Sequence, residues 1–395
     1  MAVRRSAAEP SRAAVEAPAV RRSAAEPSRA AVEAPVPKVP QPKLRSRKDG
    51  AAIPLDETDK RLMNVLQSEF PLTPEPFAGL ASKTELPLEE VLQRTQRLLD
   101  GRIIREITPI FDTRALGYSS MLVAAKVDTE HPQRAAKIIN SHPGVSHNYL
   151  RTHEFNLWFT IATPPDSELG LQGTLEVLQE KTGAESIRRL PTLQLFKINM
   201  NMEMEGDTEA LSAPVAEAVT PRELEAQPYD ERDVVVIKAL QGPMDAVERP
   251  YDAPAAEAGM STADLLAHLE GMVERKILRR VAAILFHRRA GFSANGMGVW
   301  RVPEDKVMDA GARMAAVRGV SHCYQRPTYE DWPYSVFTMA HGRSKEECDA
   351  ILDGIAADHG LHGDDRAVLY SSTEYKKIRL HYFTDDYAAW EAENS

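Results

Sequence analysis

Gly144-Val145-Ser146-His147-Asn148-Tyr149-Leu150-Arg151 returns later in the chain as Gly319-Val320-Ser321-His322-Cys323-Tyr324-Gln325-Arg326, with six of the eight positions unchanged. The chain is a tandem duplication. Read as a strand, each copy alternates its side chains between two faces, so His147, Tyr149 and Arg151 share one face and His322, Tyr324 and Arg326 share its counterpart. A proton donor, a phenol and a cation are aligned twice. One isolated His-x-Tyr-x-Arg is more often a solvated strand face than a site, and it is the recurrence that makes the pattern a candidate for chemistry.

Working outward from the first copy, 121–127 reads as a strand, 132–141 as a helix, 145–151 and 157–162 as strands, 169–182 as a helix and 186–197 as one strand. The order β-α-β-β-α-β is that of the ferredoxin-like unit, which carries both helices on one face of its sheet. Its other face is left for a partner or a ligand. Upstream, Asp56 is placed to cap a first helix, a second fits 77–84, and a third runs from Pro87 to Asp100, ended by Gly101. Three short helices before a strand read as a winged helix-turn-helix. The third helix offers Arg94 and Arg97 among Glu89, Glu90 and Asp100, a poor surface for phosphates.

The second half repeats the plan. Tyr229-Asp230-Glu231-Arg232-Asp233 answers Leu55 to Asp59, Lys276-Ile277-Leu278-Arg279 answers Arg102-Ile103-Ile104-Arg105, and Gly291 answers Gly117, all at one spacing, with one residue inserted before the central motif. The expected fold class is therefore α+β, a tandem winged helix-turn-helix plus ferredoxin-like chain. The boundaries are a tail at 1–54, helix-turn-helix units at 55–110 and 229–284, ferredoxin-like units at 111–202 and 285–395, and a linker at 203–228. Residues 2–18 recur without change as 19–35. That Ala- and Pro-rich repeat has too few large apolar side chains to offset the entropy of ordering it.

Composition narrows the classes. A net charge of −10 provides no global attraction to nucleic acid or anionic membrane. Cys323 and Cys348 are the only cysteines and have no metal-binding or disulfide-framework spacing. No apolar run nears the roughly 18 residues needed to span a bilayer, and a cytoplasmic protein without membrane or nucleic-acid partners is expected.

Helix-turn-helix followed by a ferredoxin-like unit resembles the Lrp/AsnC regulators. Where those proteins carry a Gly-rich ligand turn, this chain has Arg151-Thr152-His153-Glu154-Phe155-Asn156-Leu157-Trp158-Phe159 and Arg326-Pro327-Thr328-Tyr329-Glu330-Asp331-Trp332-Pro333-Tyr334. These segments are similar to those of the siroheme decarboxylases, Lrp-derived enzymes of haem biosynthesis. The first half, with Ile110-Phe111-Asp112-Thr113-Arg114-Ala115-Leu116-Gly117-Tyr118, is similar to their alpha subunit. The second, with Leu285-Phe286-His287-Arg288-Arg289-Ala290-Gly291-Phe292-Ser293-Ala294-Asn295, is similar to their beta subunit. The resemblance implies a fusion of two subunits whose halves pair through their helix-free sheet faces. It further implies removal of two acetate carboxyls from siroheme without an added cofactor, the iron belonging to the substrate.

That chemistry tells which residues to watch. Siroheme is a flat ring with eight carboxylates, so arginine is the natural partner for its rim, and Arg114, Arg151, Arg288, Arg289 and Arg326 are candidates. Loss of carbon dioxide leaves electron density that the macrocycle delocalises, after which a proton must reach carbon. His147 and His322, with Tyr149 and Tyr324, are the expected donors. Trp158, Trp332, Tyr334 and Phe155 are expected to give the departing groups less polar surroundings. His287, also a substrate-binding candidate, is a possible axial ligand of the substrate iron, its counterpart being Thr113; His153 and His341 are weaker candidates. Two other classes stay open: a metabolite-responsive regulator, and a haem or siroheme carrier without chemistry.

Overall fold

Asp56 and Asp59 open the first helix by exchanging hydrogen bonds, Asp59 N donating to Asp56 Oδ1 at 2.7 Å and Asp56 N to Asp59 Oδ2 at 3.1 Å. Asp230 and Asp233 form the same box at 2.9 and 3.0 Å. Each box satisfies amides that have no partner inside the helix. The computed structural model describes residues 53–68, 70–198, 226–286, 294–342 and 344–394. The repeat-bearing tail, most of the expected linker and the candidates His287, Arg288 and Arg289 lie outside them.

The first half runs α1 (Glu57–Ser68), α2 (Pro76–Thr84), α3 (Leu88–Asp100), β1 (Ile104–Phe111), β2 (Ser119–Lys126), α4 (Pro132–Ser141), β3 (Val145–Arg151), β4 (Leu157–Thr163), α5 (Gly170–Thr182), β5 (Ser186–Leu190) and β6 (Gln194–Ile198). The second runs α6 (Glu231–Leu240), α7 (Asp252–Glu257), α8 (Thr262–Glu274), β7 (Leu278–Leu285), β8 (Ala294–Trp300), α9 (Val307–Ala316), β9 (Val320–Gln325), β10 (Val336–Gly342), α10 (Lys345–His359), β11 (Arg366–Lys377) and α11 (Asp386–Asn394). The buried side of each capping box is reused. Asp59 takes Arg94 and Arg97 of α3, and Asp233 takes Arg275 at 2.6 Å and His268 of α8 at 2.8 Å. The cations on α3 that a phosphate backbone would need are thus committed to the helix-turn-helix unit itself. Both units drain into one apolar cluster with the strands β1 and β7, which pair antiparallel as a two-stranded ribbon across the halves.

The expected single strand 186–197 is a correction. Pro191 lacks the N–H that a ladder requires, and the chain breaks there into β5, which pairs with β2, and β6, which leaves for β9 of the other half. Its counterpart β11 does the same without a break, pairing first with β8 and then, from Ser371 onward, with β3. The resulting sheet has nine strands in the order β5-β2-β4-β3-β11-β8-β10-β9-β6. Each half therefore completes its sheet with a strand tail from the other.

Helices α4 and α5 cover one face of the first half-sheet through Val123, Ala125, Leu157, Phe159 and Ile161, and the second half is covered likewise through Trp300, Val320, Val336 and Ala340. The helix-free faces share a third core of Ala124, Trp158, Leu190, Met297, Val299, Phe337 and Leu369. The halves pair through those faces as well as edge to edge. The helix α11, unforeseen in the sequence, returns to the first half, where Trp390 packs 4.5 Å from the His142 ring and Glu391 accepts from Glu168 N at 3.1 Å.

His142 sits under α11, its Nδ1 accepting from Gly144 N at 3.0 Å. Burial, aided by Lys376, depresses its pKa from an ordinary 6.5 to about 3. The unfolded chain therefore binds the extra proton first, and stability present above about pH 6.5 is lost as pH falls from there toward about 3. Denaturant unfolding should show lower stability at pH 5 than at pH 7, with this group contributing up to about 1.4 kcal/mol per pH unit. His142→Asn should have a shallower dependence; an unchanged slope would assign the effect elsewhere.

Candidate functional site

Simple alternation would place Val145 on the same face as His147, yet Val145 lies in the helix-side core. A bulge resolves this. The register against β4 jumps between Val145, opposite Ile161, and His147, opposite Thr160, so Ser146 is the extra residue and re-aims everything after it. In the second half Val320 faces Ala340 and His322 faces Met339, with Ser321 as the extra residue. The Ser-His pair in both motif copies is thus a bulge followed by the residue it redirects. The two motif glycines serve different needs: a side chain on Gly144 would collide with the Ala162 carbonyl, whereas Gly319 has φ +85°, a conformation open to glycine.

Beyond the bulge, His147, Tyr149 and Arg151 project from the helix-free face, Tyr149 opposite Trp158, and Tyr324 correspondingly opposite Phe337. Each histidine is tethered by its serine. Ser146 Oγ lies 3.0 Å from His147 Nδ1 and 2.7 Å from Thr160 Oγ1. Ser321 Oγ lies 2.7 Å from His322 Nδ1 and donates to the Met339 carbonyl at 3.3 Å. Ser321 Oγ thus links the His322 imidazole to the backbone of β10. Burial, with Lys377 and then Arg105 adding positive charge, lowers the His147 pKa to about 4.

The arginines at the end of each motif are the electrostatic anomaly. Arg151 and Arg326 are each only 9% exposed, and among the described residues neither has a carboxylate within ion-pair distance. Arg151 Nη1 donates to the Leu369 carbonyl at 2.9 Å, and Arg326 Nη1 donates to the Leu190 carbonyl. Their Nε atoms have no partner. Each guanidinium lies near the tyrosine of its own motif, 5.8 Å from the Tyr149 centroid and 4.9 Å from that of Tyr324. Burial pulls both pKa values down to about 10, still far above neutrality, so both remain charged. A buried cation with no anion costs stability unless a ligand supplies one.

More cations converge from the ribbon. Asp112 Oδ1 accepts from Arg114 N at 2.9 Å and Ala115 N at 3.0 Å, while its Oδ2 accepts from Arg279 Nε at 2.9 Å. This turn brings Arg114, a first-half residue, close enough for its charge to bear on Tyr324 and Arg326 of the second. Arg105 bears on His147 and Arg279 on Tyr324. Neither was singled out as a site residue, although their place in the duplicated Ile-Ile-Arg and Ile-Leu-Arg segments was the available signal. Lys377 gave none, because its position depends on the strand exchange.

The aromatics lie deep between the halves. Trp158 and Trp332, expected along a ligand slot, are 1% and 0% exposed and lie 5.2 Å apart in the shared core. Phe155 joins them 5.6 Å from Trp332. Only Tyr334, 5.0 Å from Trp332 and half-buried, keeps an accessible edge. These rings hold the halves together. His153 caps its own turn, accepting from Phe155 N at 3.1 Å, and His341 lies within the charge range of Lys377. Among the described residues no group of three or more His, Cys, Asp or Glu is arranged to hold a metal ion.

Comparison with known proteins matches this geometry to a family. The model described as the siroheme decarboxylase NirDL-like HTH domain matches residues 59–105 and 233–279, and the AsnC-like ligand binding domain matches 115–197 and 289–376. A siroheme decarboxylase of Hydrogenobacter thermophilus is 38% identical over 85% of this chain and 97% of its own. A siroheme decarboxylase alpha subunit of Desulfovibrio desulfuricans is 36% identical over 41% of this chain and 92% of its own. The crystal structure of the siroheme decarboxylase NirDL in co-complex with an iron-uroporphyrin III analogue superposes with a TM-score of 0.67 at 33% identity, covering 85% of this chain and 98% of that one. With both halves, both domain types and nearly the full length of a relative matched, this chain belongs to the siroheme decarboxylase family.

Proposed function

We propose that this protein removes the acetate carboxyl groups at C12 and C18 of siroheme, giving 12,18-didecarboxysiroheme and two molecules of carbon dioxide. The observation that carries this reading is the pair of buried, acid-free guanidiniums, Arg151 and Arg326, set four residues beyond serine-tethered histidines on the facing surfaces of two half-sheets. Arg114, with Arg288 and Arg289 from the segment outside the described residues, adds to the set of carboxylate partners. Guanidiniums clamped on a departing carboxylate would stabilise the ground state, so the arginines hold the non-reacting carboxylates of the rim. No cofactor beyond the substrate's own ring and iron is invoked, His287 being the candidate axial ligand.

A histidine with a pKa near 4 is neutral at pH 7 and, in the ligand-free protein, a weak acid catalyst. The substrate alters that balance. Carboxylates placed beside the imidazole favour its charged form, raising the pKa toward neutrality in the complex, where His147 and His322 then deliver protons to the carbons left by carbon dioxide. Tyr149 and Tyr324 stand beside them as second donors in reach of the same face. The committed cations of α3 and the acidic α8 argue that the helix-turn-helix units serve as scaffold, without a nucleic-acid partner.

Anaerobic incubation with siroheme, followed by mass spectrometry, should show loss of two carbon dioxide units; siroheme bound tightly but unchanged would make the protein a carrier. His147→Ala or His322→Ala should lower kcat by about 100-fold or more with siroheme still bound, and either single change should enrich the monodecarboxylated product. Wild-type turnover by the double variant would remove both histidines from the mechanism. The alkaline limb of the kcat profile should fall at a pH well above 4, because kcat reports the complex.

Arg151→Met and Arg326→Met should weaken siroheme binding by about 1.5–3 kcal/mol each. In ligand-free protein the same changes should leave unfolding stability within about 1 kcal/mol, since an uncompensated buried charge is being removed. Losses of about 3–5 kcal/mol without ligand would instead make these arginines parts of the fold.

A further inference from the structure

Strand exchange makes the two sites chemically unequal. The tail of β11 places Glu374 opposite Tyr149 and Lys377 opposite His147. The tail of β6 places Leu195 opposite Tyr324 and Ile198 opposite His322. On the other flank, β4 brings Thr160 to His147 and β10 brings Met339 to His322. One imidazole is bracketed by a hydroxyl and an ammonium, the other by a thioether and an aliphatic position.

Residues directly opposed across antiparallel strands project from the same face. Lys377 therefore shares the face of His147. Its neighbour fixes the assignment independently, for Lys376 Nζ donates to the carbonyls of Asn140 at 2.9 Å and His142 at 3.3 Å, at the end of α4 on the helix side. Successive residues alternate, so Lys377 is turned the other way. Its charge reaches His341 on the second half as well as His147 on the first, which locates it between the two helix-free faces.

We propose that Lys377, carried into the first half's site by the last strand of the second half, is a substrate-binding residue that holds a rim carboxylate of siroheme beside His147. This rests on the decarboxylase reading above and deepens it. The His147 site grips the polyanion through a cation from the opposite half, and the aliphatic counterpart of Lys377 leaves the His322 site without that hold.

The test uses the full chain, anaerobic siroheme titrations followed by absorbance, and product masses after a single turnover. Lys377→Met and Lys377→Gln should each weaken siroheme by about tenfold or more, and Lys377→Arg should restore affinity to within about threefold, a rescue that a purely structural lysine at a strand end would not require. The neutral variants should also accumulate monodecarboxylated product. Affinity within twofold of wild type in both neutral variants would overturn the proposal. Failure of the underlying reading looks different: the wild-type chain would bind siroheme and return it without loss of carbon dioxide, whatever the lysine variants do to affinity.

Discussion

The structure depends on backbone hydrogen bonding at two strand tails that leave their own half. An exposed sheet edge is a row of unpaired amides and carbonyls, and each half would present one beside its histidine strand. β11 covers the edge of β3 and β6 covers the edge of β9. The same exchange that satisfies these edges places Lys377 opposite His147 and Ile198 opposite His322, so each candidate site is flanked by a strand of the other half. This accounts physically for a fusion: both tails are held at high effective concentration within a single chain.

Once the faces are paired, electrostatics takes over. The shared core of Trp158, Trp332, Phe155 and Phe337 is apolar and closed, and it fixes Arg151 and Arg326 in positions where water solvates them poorly. Neither finds an acid among the described residues, and Arg114 and Lys377 add charge of the same sign nearby, whereas Arg105 and Arg279 are paired with Glu106 and Asp112. An acidic protein thus keeps a local cationic interior, which is what a ring bearing eight carboxylates requires. The low His147 pKa follows first from burial and then from the charges of Lys377 and Arg105.

Much of this was legible in residues. Asp56, Pro87 and Gly101 marked helix ends because caps and breakers act locally, and the repeated His-x-Tyr-x-Arg marked one face of each strand because alternation in a strand is also local. The bulges at Ser146 and Ser321 were not legible, although they decide which side Val145 and Val320 take. Pro191 was visible, but its consequence, a strand tail pairing with the other half, depends on tertiary contacts. Lys377 and helix α11 were missed for the same reason. The tryptophans read as ligand-facing because a flat apolar ligand and a buried interface call for the same residue types.

The central claim is that the tetrapyrrole sits between the two helix-free faces, against β3 and β9. A structure of the protein with an iron uroporphyrin tests it most directly. The account predicts rim carboxylates on Arg151 and Arg326 and the His147 and His322 rings within hydrogen-bond reach of the macrocycle's substituents. A ring seated instead in the groove lined by Arg301, Lys306, Arg313 and His359, whose wall also includes Arg326, with Arg151 and both histidines remote, would contradict it.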